Sequence, residues 1–178
     1  MKTMSEITSI ELITADEHDK PILRNLMQYY QYDSSAYTNE DPGRFGLFDY
    51  KYLDHYWTDQ GKEEEGRQAF LVKVNHMLGG FVLVNNHSIL KKPGNETKTI
   101  AEFFIMRKWR RQGVGKEVAY KTFEIHKGIW EIKQEKENIG AQRFWENVIN
   151  EYTAGNFKRV ESVGDDWDGP VIWFDNSK

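Results

Sequence analysis

The sequence contains no cysteine. Disulfides, zinc–thiolate sites and a cysteine nucleophile are therefore excluded. Long apolar runs are missing too: no stretch approaches the roughly 20 residues that span a bilayer. The start, Met1-Lys2-Thr3-Met4-Ser5-Glu6, lacks the apolar core of a signal peptide. The expectation is a cytoplasmic protein that touches no membrane. Neither sign of charge dominates. The 24 basic and 28 acidic residues leave a formal charge of −4, which argues against a nucleic-acid-binding surface as the main purpose. His18, His55, His76, His87 and His126 show no metal-ligand spacing, so no metal is expected. No internal repeat or linker is visible.

What is there is aromatic. Six Trp, nine Tyr and ten Phe in 178 residues mark a chain that packs, of a length that suits one domain over residues 1–178. Residues 7–13 read as a strand. Asp16 is a plausible N-cap, and Ile22, Leu23, Leu26, Met27 and Tyr30 follow at helical spacing. A polar, aromatic stretch covers residues 32–50, and Tyr52, Leu53, Tyr56 and Trp57 suggest a short second helix, followed by a charged loop at 61–66. Strands at 69–74 and 79–84 form a hairpin across Asn75-His76-Met77. A polar loop leads to a strand at 99–106, a helix over about 114–126, a strand at 130–134, a helix at 138–149, and a strand pair at 157–163 and 171–175. This order predicts an α+β protein around one mixed sheet.

The chemistry concentrates after the strand Thr99-Ile100-Ala101-Glu102-Phe103-Phe104-Ile105-Met106, in Arg110-Arg111-Gln112-Gly113-Val114-Gly115-Lys116. A glycine-bearing turn between strand and helix exposes backbone N–H groups at the positive end of the helix, a site suited to phosphate. Gly113 and Gly115 let backbone approach a ligand closely, and Arg110, Arg111 and Lys116 supply charge. It is not a Walker loop: Arg110 stands where the first glycine belongs and Glu117 where Ser or Thr belongs. Nor is it a dinucleotide fingerprint, because Val118 replaces the third glycine. A nucleotide-binding P-loop is thereby disfavoured.

Strand, spacer, Arg-x-x-Gly-x-Gly, then amphipathic helix resembles the acetyl-CoA pyrophosphate loop of the GNAT superfamily of N-acetyltransferases. A second match follows the 130–134 strand. Asn138-Ile139-Gly140-Ala141-Gln142-Arg143-Phe144-Trp145 is similar to the family's Asn-x-x-Ala-x-x-Phe-Tyr segment. The resemblance covers about residues 99–149 and implies an α/β/α sandwich. Its single mixed, mostly antiparallel twisted sheet would have about seven strands, flanked by about four helices. It also implies acetyl-CoA as co-substrate and a small-molecule, peptide or protein amine as acceptor.

The resemblance assigns roles. Residues 110–116, with Val114 contributing backbone, would hold the pyrophosphate. The backbone of Ile105 and Met106, with Arg107 after them, would bind the pantetheine arm, and Ile105 would serve the oxyanion. Asn138 would reach the same arm, although capping a helix explains it equally. Arg107 stands where relatives often have proline, and Trp145 where many have a tyrosine that protonates the leaving thiolate. An indole N–H is donor only, so Trp145 either donates to the sulfur or walls the cofactor tunnel. This departure keeps open a non-catalytic acyl-CoA-binding sensor.

Strand alternation sends Ala101, Phe103 and Ile105 to one face and Ile100, Glu102 and Phe104 to the other. A carboxylate among such apolar residues needs partners or a wet cleft. Glu102 is then either the general base, with a raised pKa, or a structural carboxylate. For the acceptor, Tyr29, Tyr30, Tyr32, Asp33, Tyr37, Tyr56 and Trp57 offer aromatic faces and a carboxylate suited to a cationic amine, unless they simply cover a core edge. Exposed aromatics would also permit a homodimer.

Overall fold

The computed structural model describes residues 6–91 and 97–177. Seven strands form one sheet. β1 (Ile10–Thr14), β2 (Gln68–Val74), β3 (Met77–Asn85) and β4 (Thr97–Ile105) lie side by side in chain order. β5 (Ile129–Lys133) follows, then β7 (Val171–Asp175) and β6 (Lys158–Val160) at the far edge. Every neighbouring pair is antiparallel except β4 and β5, which run parallel. The described helices are α1 (Lys20–Thr38), the short α2 (Asp59–Glu63), α3 (Val114–Phe123) and α4 (Ile139–Thr153). The mixed, mostly antiparallel sheet expected from the sequence is present.

Two cores follow from the period-two pattern of the strands. Phe70, Val72 and Val74 of β2 and Val82 and Val84 of β3 face α3 and α4, together with Trp130, Trp145, Phe123 and Phe174. Ala69, Leu71, Phe81 and Leu83 face α1, where Leu23, Leu26 and Met27 cover them. The β2–β3 connection is a two-residue turn. Val74 pairs with Met77, and Asn75 and His76 both have positive φ (51° and 62°), as a primed turn requires.

Three departures from the sequence reading bear on the site. First, α1 runs on through the polar stretch to Thr38 and stops at Asn39, which is left-handed (φ 56°). Second, Leu53–Trp57 is a 3₁₀ turn, and the helical residues that follow are α2, whose end lies inside the stretch read as a charged loop. Third, β4 carries a bulge. Glu102 pairs with Leu83 but Ile100 pairs with Val84, so Ala101 is the extra residue. Beyond it the alternation flips. Ile100 packs on the α3/α4 side with Phe103 and Ile105, and Ala101 on the α1 side with Phe104.

The parallel ladder is short. Thr97, Lys98 and Thr99 pair with Ile129, Trp130 and Glu131, and there it ends. β4 continues to Ile105, so a wedge opens between the two strands. Glu131, fully buried on β5, does not face that wedge as a free carboxylate. It accepts hydrogen bonds from Ser88 Oγ (2.7 Å) and the amides of Ile89 (2.7 Å) and Leu90 (3.4 Å).

Candidate active site

A cleft of about 1190 Å³ lies between the C-terminal half of α1, the end of β4, the start of α3 and α4. That exceeds the ~300–1,000 Å³ of an ordinary small-molecule pocket, so there is room for more than one reactant.

One wall is the loop before α3. Arg111 and Gly113 both have left-handed backbone (φ 61° and 82°). The first intrahelical bond runs from the Glu117 amide to the Gly113 carbonyl. The amides of Val114, Gly115 and Lys116 therefore have no acceptor among the described residues and sit at the positive end of the helix. The two glycines do different jobs. A Cβ on Gly113 would meet nothing within 4 Å, so its Cα faces open cleft. A Cβ on Gly115 would come within 3.1 Å of the Phe144 ring, so this glycine lets α3 approach α4. Val114 is buried in the core and contributes only backbone. Gln112 spends its side-chain amide on the Lys108 carbonyl (2.7 Å). Lys116 pairs with Glu151 (2.9 Å). Arg111 lines the cleft and has no partner among the described residues.

A second wall is the exposed side of β4. The Met106 amide donates to the Gly79 carbonyl of β3 (2.8 Å). Alternate residues of an antiparallel pair face opposite ways, so the amides of Ile105 and Phe103 are directed into the wedge. Beside them, Trp145 of α4 is 5% exposed. It packs edge-on against Phe103 (ring centroids 4.8 Å apart) and Phe144 (5.0 Å). Its indole N–H has no partner among the described residues. Asn138 caps α4 through its side-chain oxygen, which accepts from the Ala141 amide (2.9 Å). Asn138 lines the cleft, and its carboxamide nitrogen has no partner among the described residues.

Glu102 reaches the cleft from β4. Tyr30 of α1 donates its hydroxyl to it at 2.5 Å. Burial pushes the Glu102 carboxyl up, and hydrogen bonds from Tyr30 and Tyr50 hold part of that rise back. Burial, with the adjacent Glu102 charge, keeps both tyrosine hydroxyls well above their ordinary value, so they remain donors at neutral pH. Glu135, just past β5, is also pushed up by burial, with Glu137 and Glu40 adding negative charge nearby. This end of the cleft is thus acidic and aromatic, and the other end basic.

Between the two ends stands Asp33. Its Oδ1 accepts from Arg107 (2.6 Å) and its Oδ2 from Arg110 (2.6 Å). Burial pushes its carboxyl up, but the hydrogen bonds from Arg110 and Arg107 outweigh this and hold it below the usual carboxylate range. Arg110 also donates Nε to the Ile105 carbonyl (2.6 Å) and lies over the Phe104 ring (5.5 Å).

No protein-family model matches the sequence, and no curated protein does. Solved structures do match it along almost its whole length. One is an acetyltransferase of Thermus thermophilus, 16% identical, with 96% of this chain and 97% of that one covered and a TM-score of 0.63. Another is a GNAT-family acetyltransferase of Staphylococcus aureus, 17% identical, with 96% and 100% covered and a TM-score of 0.58. A third is the spermidine N-acetyltransferase of Vibrio cholerae in complex with CoA and spermine, 12% identical, with 95% and 96% covered and a TM-score of 0.60. The chain has the GNAT fold.

On this GNAT framework most residues singled out from sequence converge on one cleft: Tyr30, Asp33, Glu102 and Ile105 from one side, Arg107, Arg110, Arg111, Gly113, Gly115 and Lys116 from another, and Asn138 and Trp145 from α4. Three of the acceptor-side candidates lie outside this cleft. Tyr56 is 2% exposed and belongs to the core under α1, because the 3₁₀ turn points it and Leu53 inward. Trp57 donates its indole N–H to the Ala15 carbonyl (3.2 Å), away from the cleft. Tyr32 is 67% exposed on the outer face of α1. The sequence reading missed Tyr50 and Glu135. Tyr50 lies in a stretch with no periodicity, and nothing in the sequence links it to Glu102. Among the described residues no group of His, Asp and Glu could hold a metal ion, and no helix is long and apolar enough to cross a membrane.

Proposed function

We propose that this chain is a single-domain GNAT-type N-acetyltransferase that moves acetyl from acetyl-CoA to a primary amine within a ternary complex. One observation carries the reading. The unpaired amides at the start of α3 and the amide of Ile105 open into the same cleft as a carboxylate with a raised pKa. The loop fits a diphosphate: there is open space over Gly113, a helix N-terminus, and Arg111 without a partner among the described residues. The similar Vibrio cholerae enzyme is a structure with CoA and spermine, which supports coenzyme A in this cleft and an amine opposite.

The chemistry follows from the two ends. An ammonium group enters where Glu102, Glu135 and Glu40 gather, and it must lose a proton before it can attack. Glu102, directly or through water, takes that proton. The amine nitrogen bonds to the thioester carbonyl carbon, and the oxygen's developing charge meets the Ile105 N–H. The C–S bond then breaks, and the nitrogen gives up its second proton, through water, to the departing thiolate, leaving an amide and free CoA. A thiol of pKa about 8.5 leaves tolerably well as thiolate, so Trp145 need not act as an acid. It serves as a wall.

Thiol release from acetyl-CoA, scanned over polyamines, aminoglycosides and peptides, tests the proposal alongside calorimetric titration with CoA. Release with at least one amine supports it. Tight CoA binding with no release from any acceptor would instead establish the acyl-CoA-binding sensor, the reading that Trp145 favours. Thermal protection by ATP and none by CoA would reject both.

A further inference from the structure

Asp33 stands out in the sequence as an acidic residue among tyrosines, the place of an acceptor ligand. The structure gives it other work. Both carboxylate oxygens are already used, one by Arg107 and one by Arg110, each at 2.6 Å. Arg110 is in turn fixed at three points: its Nη2 on Asp33, its Nε on the Ile105 carbonyl at 2.6 Å, and its guanidinium plane over Phe104. A long, rotamer-rich side chain is thereby held in one place.

The place matters because of what Ile105 does. Its carbonyl and its amide both point off β3 toward the wedge. An uncapped carbonyl there would present negative partial charge beside the site where an oxyanion forms. Capped by a guanidinium, the same carbonyl is neutralised, and the N–H beside it acts without a competing dipole. We propose that Asp33 is a positioning residue on the cofactor side of the cleft, one that anchors Arg110 over the Ile105 carbonyl and so leaves the Ile105 N–H to stabilise the oxyanion. The inference rests on the acetyl-transfer reading and adds a link to it. Asp33 lies close to one helical turn after Tyr30. The same stretch of α1 therefore carries the donor to Glu102 and the anchor for Arg110.

The test is steady-state kinetics of the wild type, Asp33→Asn, Arg110→Gln, the double variant and Asp33→Glu, with both KM values measured. Asparagine keeps the size of the side chain but offers one acceptor oxygen to two guanidinium groups. Asp33→Asn is expected to lower kcat by about tenfold, the scale of one charge-assisted contact. KM for the amine should stay within about twofold, and the pH at which turnover rises should not move. The double variant should be no slower than Arg110→Gln alone, because the two act as one unit, and Asp33→Glu should recover most of the rate. Two results overturn the assignment. One is a raised amine KM with kcat intact and effects that multiply in the double variant, which would place Asp33 on the acceptor. The other is unaltered kinetics in Asp33→Asn. Either leaves acetyl transfer standing. A wild type that turns over no amine at all removes the acetyl-transfer reading, and this inference with it.

Discussion

Gly113 and Gly115 are close neighbours in sequence, yet the structure separates their roles sharply enough for opposite predictions. Alanine at position 113 must adopt φ near 82°, which costs an L-residue about 1–2 kcal/mol. No steric penalty adds to this, because the new methyl would meet nothing within 4 Å. For a chain of this length the melting temperature should fall by about 2–8 °C. CoA binding should suffer far more. The methyl projects where a diphosphate approaches the α3 amides. Losing two charge-assisted hydrogen bonds, each worth about 1.5–3 kcal/mol, weakens affinity by roughly 10²- to 10⁴-fold. Alanine at position 115 reverses the pattern. Its Cβ would lie 3.1 and 3.2 Å from two atoms of the Phe144 ring, so the ring must shift, at a cost of about 1–3 kcal/mol in stability. CoA affinity should change by less than about threefold, since no amide is covered. Calorimetric titration with CoA and thermal unfolding of both variants decide the matter. Wild-type CoA affinity in Gly113→Ala would refute the reasoning, as would lost affinity in Gly115→Ala with an unchanged melting temperature.

Other expected outcomes concern the carboxylate end. Glu102→Gln should lower turnover and flatten its rise with pH; full activity with an unaltered profile removes Glu102 as base. Because burial raises the Glu102 pKa in the folded state, ionising it costs stability. Relative to Glu102→Gln, the wild type should therefore lose stability as pH climbs from the ordinary carboxylate range through the raised value, as denaturant midpoints would show. Tyr30→Phe removes a bond that opposes that rise, so the pH at which turnover appears should move upward; a downward shift contradicts the assignment. Trp145→Phe should keep thiol release within a few-fold if the indole is a wall, and a loss beyond about a hundredfold would show that its N–H serves the chemistry.

The stretch from about residue 99 to 149 was legible because its constraints are local. A glycine that must be left-handed, a side chain that caps the next helix and an apolar stripe all show in adjacent residues. The acceptor side was hard to read for a physical reason. The second half of α1 lines a cleft instead of a core, so helical periodicity leaves no apolar signature there. The run from Tyr32 through Asp33, Ser34 and Ser35 reads as a polar, aromatic stretch although it is helix. That reading set Asp33 among acceptor ligands, whereas both of its oxygens are taken by arginines. Tyr56 and Trp57 stayed ambiguous because an aromatic residue looks the same in sequence whether it covers a core or a ligand. The bulge at Ala101 was invisible, since no glycine or proline marks it.

That bulge has a consequence for what lengths the chain tolerates. The segment after Ala101 is clamped by pairing with β3, and the segment before it by β3 and β5 together. Excising the one surplus residue would leave Ile100 and Glu102 opposite the adjacent Val84 and Leu83, each on the face it already occupies, so the strand would close into regular pairing. Exposed connections gain or lose residues cheaply; inside this clamped strand the loss of Ala101 joins them, because every other side chain keeps its own side of the sheet.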